Sequence, residues 1–276
     1  MSPPFSDACG ADLWFCVLAS GSQGNAIYVS DARSAILIDA GLSGAEIERR
    51  MRLRDLDPAG LSAIVVSHEH GDHVRGVGVL ARRYGLAVYT TPPTAAAAAR
   101  QLGRLDRMVP FAAGEAFAIG RLRIQPFATP HDAVDSTGFT VQVNGAKLGI
   151  ATDLGVAPAL VRHHLCGCGA LILEANHDPR MLIEGPYPWP LKQRIQGRTG
   201  HLSNEDSRDL LGQVRHDRLE HVVLAHLSET NNTAERALAV VSEGIGPCRP
   251  RLTVARQDLP CPLIAVGPGP ARESLE

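Results

Sequence analysis

Three histidines and an aspartate crowd into the run His68-Glu69-His70-Gly71-Asp72-His73. Imidazole nitrogens and carboxylate oxygens together suit Zn²⁺, Mn²⁺ or Fe. The run follows residues 62–66, a short apolar segment of the buried-strand type. Side chains of an extended loop repeat with period two, so His68 and His70 point the same way. Asp72 and His73 enter the first turn of a helix and turn elsewhere, so one short run can feed two adjacent ions. A surface loop rich in histidine by chance does not explain four potential ligands directly after a buried strand. Two ions need further ligands, and three residues stand at the ends of apolar strands. They are His131 after 127–130, Asp153 after 149–152 and His226 after 222–225.

The elements that must position these residues follow from periodicity and punctuation. Residues 13–18 read as a strand running into the turn Ser20-Gly21-Ser22-Gln23-Gly24-Asn25. Residues 26–29 and 35–38 form a hairpin pair ending at Asp39-Ala40-Gly41, and 43–53 has helical spacing. One helix is predicted from Asp72 to Tyr84, then a buried strand at 87–90 and an alanine-rich helix at 94–102. A strand-dense stretch follows (115–119, 121–127, 138–143, 147–151). Helices 156–165, 204–214 and 233–243 then alternate with strands 170–174, 220–225 and 251–254. The Pro- and Gly-rich segment 178–200 lacks a period and reads as a long functional loop. Strands first in meanders and later alternating with helices predict an α/β fold, a four-layer αββα sandwich. The expected organisation is a flexible leader (1–12), one domain (13–256) and a flexible C-terminal tail (257–276).

Bulk properties narrow the function. The chain of 276 residues carries a formal net charge of -2, so no global basic field would coat nucleic acid. Its six cysteines show no structural zinc spacing and no secreted disulfide framework. No basic region followed by an apolar core opens the sequence, and no apolar stretch approaches the ~20 residues of a membrane span. A cytoplasmic protein without a membrane partner is expected.

The run His68–His73 with later His131, Asp153 and His226 resembles the metallo-β-lactamase superfamily over residues 15 to about 255. The resemblance implies that His68, His70 and His131 hold one ion and that Asp72, His73 and His226 hold another. Asp153 would bridge them. Asp39 would orient a ligand imidazole, or would simply be a turn aspartate before Gly41. The cofactors implied are two divalent ions, Zn or Mn, with Fe open. A carboxylate-rich pair suits phosphodiester hydrolysis better than lactam hydrolysis, with a metal-bridging hydroxide as nucleophile.

Longer motifs sharpen the resemblance: Ser20–Asn25 with its two glycines, Glu174-Ala175-Asn176-His177-Asp178, Gly185-Pro186-Tyr187-Pro188-Trp189-Pro190-Leu191-Lys192, Gly200-His201-Leu202-Ser203-Asn204 and Ala225-His226-Leu227-Ser228. Together they resemble the bacterial YycJ/WalJ family, regarded as 5′→3′ DNA exonucleases. Residues 200–227 also resemble ribonuclease Z. That likeness implies His201 as general acid beside Glu174; Asp72 is also expected among the catalytic residues. His201 is otherwise a residue preceding the helix cap Ser203. The stretch between Asp153 and His201 is too short for the inserted cap domain of ribonuclease J.

Substrate contacts are expected from Ser22 and Asn25, which otherwise only shape a turn. Tyr187, Trp189, Lys192 and Arg194 interleave rings and cations as single-strand binding requires, or pin their own loop. The expected function is a dimetal phosphodiesterase acting on single-stranded or frayed DNA ends, with nucleic acid as its partner. The alternatives are hydrolysis of small phosphodiesters such as cyclic nucleotides, or a non-catalytic signalling scaffold.

Overall fold

The computed structural model describes residues 12–31 and 33–267. Its strands are β1 (Leu13–Ala19), β2 (Ala26–Ser30), β3 (Ala35–Ile38), β4 (Leu61–Val65), β5 (Ala87–Thr90), β6 (Met108–Pro110), β7 (Phe117–Ile119), β8 (Leu122–Ala128), β9 (Thr137–Val143), β10 (Ala146–Ala151), β11 (Ala170–Glu174), β12 (His221–Ala225), β13 (Arg251–Val254) and β14 (Ile264–Val266). The α-helices are α1 (Gly44–Arg52), α2 (Gly71–Val74), α3 (Val77–Tyr84), α4 (Pro92–Leu102), α5 (Ala159–Leu165), α6 (Pro179–Glu184), α7 (Trp189–Gln196), α8 (Asn204–Val214) and α9 (Ala234–Ser242).

The strands form two sheets, ordered β14-β1-β2-β3-β4-β5-β6 and β13-β12-β11-β10-β9-β8-β7. Each sheet starts as an antiparallel meander and then turns parallel, at β3–β4 in the first and β10–β11 in the second. Parallel neighbours need crossover connections, and helices supply them. The αββα sandwich expected from the element pattern is therefore the fold.

Strands apolar along their whole length make sense because both faces are covered. In β1, Phe15 and Val17 face the second sheet, packing in one cluster with Phe139, Val141 and Ile150. The alternating Cys16 and Leu18 face outward, toward Ile47 and Met51 of α1 and Leu80 of α3. The second sheet repeats the scheme, with Leu171 and Leu173 against Val161 of α5, Leu211 of α8 and Val241 of α9. Among the described residues no helix is long and apolar enough to cross a membrane.

Several boundaries differ from expectation. The single helix predicted over 72–84 breaks into α2 and α3, because Gly76 donates its N–H to Ala40 and has no room for a side chain. The segment 178–200 is not one loop. Pro179 and Pro190 sit in the first turns of α6 and α7, where a missing N–H costs nothing, so proline content misled the reading. The tail expected from 257 starts too early, since β14 pairs antiparallel with β1 (Leu13↔Val266). The leader 1–12, apart from Asp12, and residues 268–276 lie outside the described residues.

Gly41 shows how tightly the site is framed. A Cβ there would fall 1.6 Å from the Asp72 carbonyl oxygen. Gly41 N–H donates to the Asn25 carbonyl, and Asn25 N–H donates to that of Asp72 (2.8 and 2.7 Å). Overpacking at such a point costs about 3 kcal/mol. Gly41→Ala should lower the urea-unfolding free energy by about that amount and weaken metal retention, measured by equilibrium unfolding and metal content.

Candidate metal centre

The strand ends converge. Asp39 follows β3, His68 lies beyond β4, Asp153 beyond β10, Glu174 ends β11 and His226 follows β12. Asp39, Asp153 and His226 turn there in the left-handed region (φ 61°, 59° and 56°). Asp and His are among the residues that tolerate this conformation. The turn lifts each side chain off its strand into the space between the sheet ends.

Among the described residues, His68, His70 and His131 bring one ligand atom each within 4.8 Å of one another, and so do Asp72, His73 and His226. Asp153 lies between the two groups, 3.4 Å from His73 Nε2, 3.5 Å from His226 Nε2 and 4.0 Å from His131 Nε2. His68 Nε2, Asp153 Oδ2 and His226 Nε2 are buried there with no hydrogen-bond partner. Such atoms cost about 1–3 kcal/mol each when unsatisfied. Their convergence with a nitrogen-and-carboxylate donor set fits divalent cations. Asp153, Glu174, His201 and His226 also cluster within that reach. Glu174, however, accepts from His201 Nδ1 and His226 Nδ1 on Oε1 and from Leu154 and Leu202 N–H on Oε2. Its oxygens are spent, so this cluster is a hydrogen-bond network rather than an ion site.

The imidazoles are held from behind. His73 Nδ1 lies 2.8 Å from Asp39 Oδ2, and Asp39 also accepts from Ser67 N–H and Oγ–H. His131 Nδ1 lies 3.2 Å from the Gly200 carbonyl. Ser20 Oγ accepts the His226 N–H, and Asn176 Nδ2 donates to the His226 carbonyl. Asp39 thus orients the His73 imidazole.

Charge follows geometry. Burial disfavours charge on Asp72, Asp153 and Glu174, yet nearby imidazoles hold all three below the ordinary carboxylate range. Burial, aided by His73 and His131, pushes His68 well below its usual value. Burial opposes charge on His73 too, but Asp153, Asp39 and Asp72 raise it to about 9. The carboxylates of Asp153, Asp72 and Glu174 likewise raise His226 well above its usual value against the effect of burial.

A cavity of about 180 Å³ opens beside the cluster, lined by Ser22, Asp132, Tyr187, Arg194, His201 and His226 among others. Several residues expected to meet substrate are engaged elsewhere. Asn25 is buried, accepting from Gly21 N–H and donating to Asp72 Oδ2. Lys192 turns inward, its ammonium donating to the carbonyls of Ile183 (2.5 Å) and Gly185 (2.8 Å). In both, contrary to expectation, a polar side chain satisfies polar groups that lie within its reach. Trp189 is 58% exposed and does not line the cavity. Asp132 escaped the sequence reading. It ion-pairs with Arg194 and lies 3.4 Å from His131 Nε2; adjacency to His131 was its only signal.

Residues 34–227 match the β-lactamase superfamily domain. The chain is 39% identical over 233 residues to the exodeoxyribonuclease YycJ of Bacillus anthracis, covering 84% of this chain and 88% of that protein. It belongs to the YycJ/WalJ family of the β-lactamase superfamily. Exodeoxyribonuclease WalJ of Streptococcus pneumoniae is 36% identical over 227 residues, covering 81% of this chain and 84% of its own. The metallo-β-lactamase-fold protein YhfI of Bacillus subtilis superimposes with a TM-score of 0.70 at 14% identity, over 90% of this chain and 99% of its own. This YycJ/WalJ-family protein is a metal-dependent hydrolase.

Protons must leave before metal enters. His73 and His226 are charged in the metal-free protein at neutral pH, so metal affinity should rise as pH climbs toward 9. Zn²⁺ binding near pH 7.5 should release at least one proton, measured by calorimetry in buffers of different ionisation enthalpy. Stripped of metal, the protein should lose stability from pH 6.5 through about 9, because the raised His73 favours folding only while protonated.

Proposed function

We propose that this protein is a dimetal phosphodiesterase that removes nucleotides 5′→3′ from single-stranded or frayed DNA ends. One ion would be held by His68, His70 and His131, and the other by Asp72, His73 and His226, with Asp153 between them. When bound, the ions supply Lewis acidity, lowering the pKa of water and offsetting charge on phosphate oxygens. Everything else falls to the chain itself.

The observation that carries the reading is the His201–Glu174 pair: His201 lines the cavity, and the buried Glu174 lies 2.8 Å behind it. Glu174 accepts the Nδ1–H and aims the ring, so that a proton carried on Nε2 would face the leaving group and pass to it. A 3′-oxygen departing from a diester needs a proton, and a positioned acid contributes about 10²–10⁴-fold. Tyr187 offers a ring for a terminal base. Arg194 is a cation for phosphate once Asp132 yields it. The net charge of -2 agrees with local capture of an end rather than coating of a duplex. The names of the YycJ and WalJ relatives support DNA as the polymer. The same cavity would admit a small cyclic diester, and relative rates on the two substrates choose between them.

With Mn²⁺ or Zn²⁺, the protein should shorten 5′-phosphorylated single-stranded DNA from its 5′ end; intact DNA across both metals would overturn the proposal. His201→Ala should keep its metal and lose about 10²–10⁴-fold in rate. That loss should shrink on a p-nitrophenyl nucleotide ester, whose leaving group needs no acid. Asp153→Ala should lose both metal and activity, read by metal content and nuclease assay.

A further inference from the structure

The turn Ser20–Asn25 feeds the centre from one end and the cavity from the other. Ser20 Oγ accepts the His226 N–H, and Asn25 reaches Asp72 and His73. Between them, Ser22 lines the cavity. Ser22 and Gln23 are exposed, and their stretch lies outside the strands, so something else must hold it.

That element is the stretch after β13. Gln257 Oε1 accepts the Gln23 N–H at 2.9 Å, and Gln257 Nε2 donates to the Gly24 carbonyl at 2.9 Å. The side-chain amide thus pairs with the turn as a neighbouring strand would. The Ser20 N–H donates to the Arg256 carbonyl, extending the pairing by one bond. Gln257 is itself anchored, because the buried Arg50 donates to its carbonyl (2.7 Å) and to that of Leu18 (3.0 Å). Gly21 fits the same design. It has a φ of 141°, and a Cβ there would lie 2.6 Å from Gln257 Oε1. On the far side, Gln23 Nε2 donates to the Glu229 carboxylate, joining the turn to the loop that carries Leu227 and Ser228 of the same cavity wall.

We infer that Gln257 is a positioning residue that sets the Ser22 wall of the cavity and so governs substrate binding. In its bearing on substrate, this rests on the proposed phosphodiesterase reading. Gln257 touches neither the metal cluster nor the cavity, so its effect should fall on KM and not on kcat.

The test compares metal-loaded wild type with Gln257→Met, which keeps length and loses both hydrogen bonds, and Gln257→Glu, which keeps the acceptor for Gln23. Amide hydrogen exchange over residues 20–25 should quicken in Gln257→Met, with metal content unchanged. KM for 5′-phosphorylated single-stranded DNA should rise about tenfold, the equivalent of roughly one net hydrogen bond, with kcat within about twofold. Gln257→Glu should fall between the two. Unchanged exchange, unchanged KM, or a fall in kcat together with metal loss would each overturn the inference. If wild type cleaves no DNA, the phosphodiesterase reading fails by itself. Thymidine 5′-monophosphate binding then decides: weaker binding to Gln257→Met supports the inference, and equal or no binding to both proteins overturns it.

Discussion

A single carboxylate organises this molecule. Glu174 has no exposed surface and accepts four N–H groups, from His201, His226, Leu154 and Leu202. Burying a charge is tolerable only when donors surround it. Here the donors come from the end of β10, the residue after β12 and the approach to α8. The same contacts that neutralise the cost hold an N–H at Nδ1 of both imidazoles and so fix how each ring is oriented. Stability of the strand ends and readiness of the site are one interaction seen from two sides.

The remaining groups are aimed by backbone conformations with a modest cost. Left-handed residues at Asp39, Asp153 and His226 each carry strain on the order of 1–3 kcal/mol. Their side chains are then hydrogen-bonded or drawn to opposite charge, which holds the turns in place. The two sheets follow the same plan, a meander turning parallel, so the parallel ends of both bring His and Asp side chains to one rim.

The cavity wall is built by a different logic. The α6–α7 pair brings Tyr187 and Arg194 to the opening, while Lys192 closes the turn between the helices from inside. A chain stretch rich in proline became two short helices because its prolines stand in first turns. Behind the Ser22 turn, Gln257 stitches that turn to the stretch following β13.

Taken alone, the sequence determined which residue types gather at strand ends: His68 to His73 by spacing, and His131, Asp153 and His226 by the apolar runs before them. Alternation and punctuation also determined most strands and the layer order, because side-chain periodicity is a local property. Tertiary structure decided the rest. Whether Asp39 serves His73 or merely turns the chain depends on β3 lying beside β4. Whether Asn25 and Lys192 meet substrate or backbone depends on which unpaired groups lie within reach. Gln257 reads as tail until β14 pairs with β1 and Arg50 captures its carbonyl. Hydrogen bonds between residues more than two hundred positions apart leave no periodic trace in the chain, and only the folded geometry brings them together.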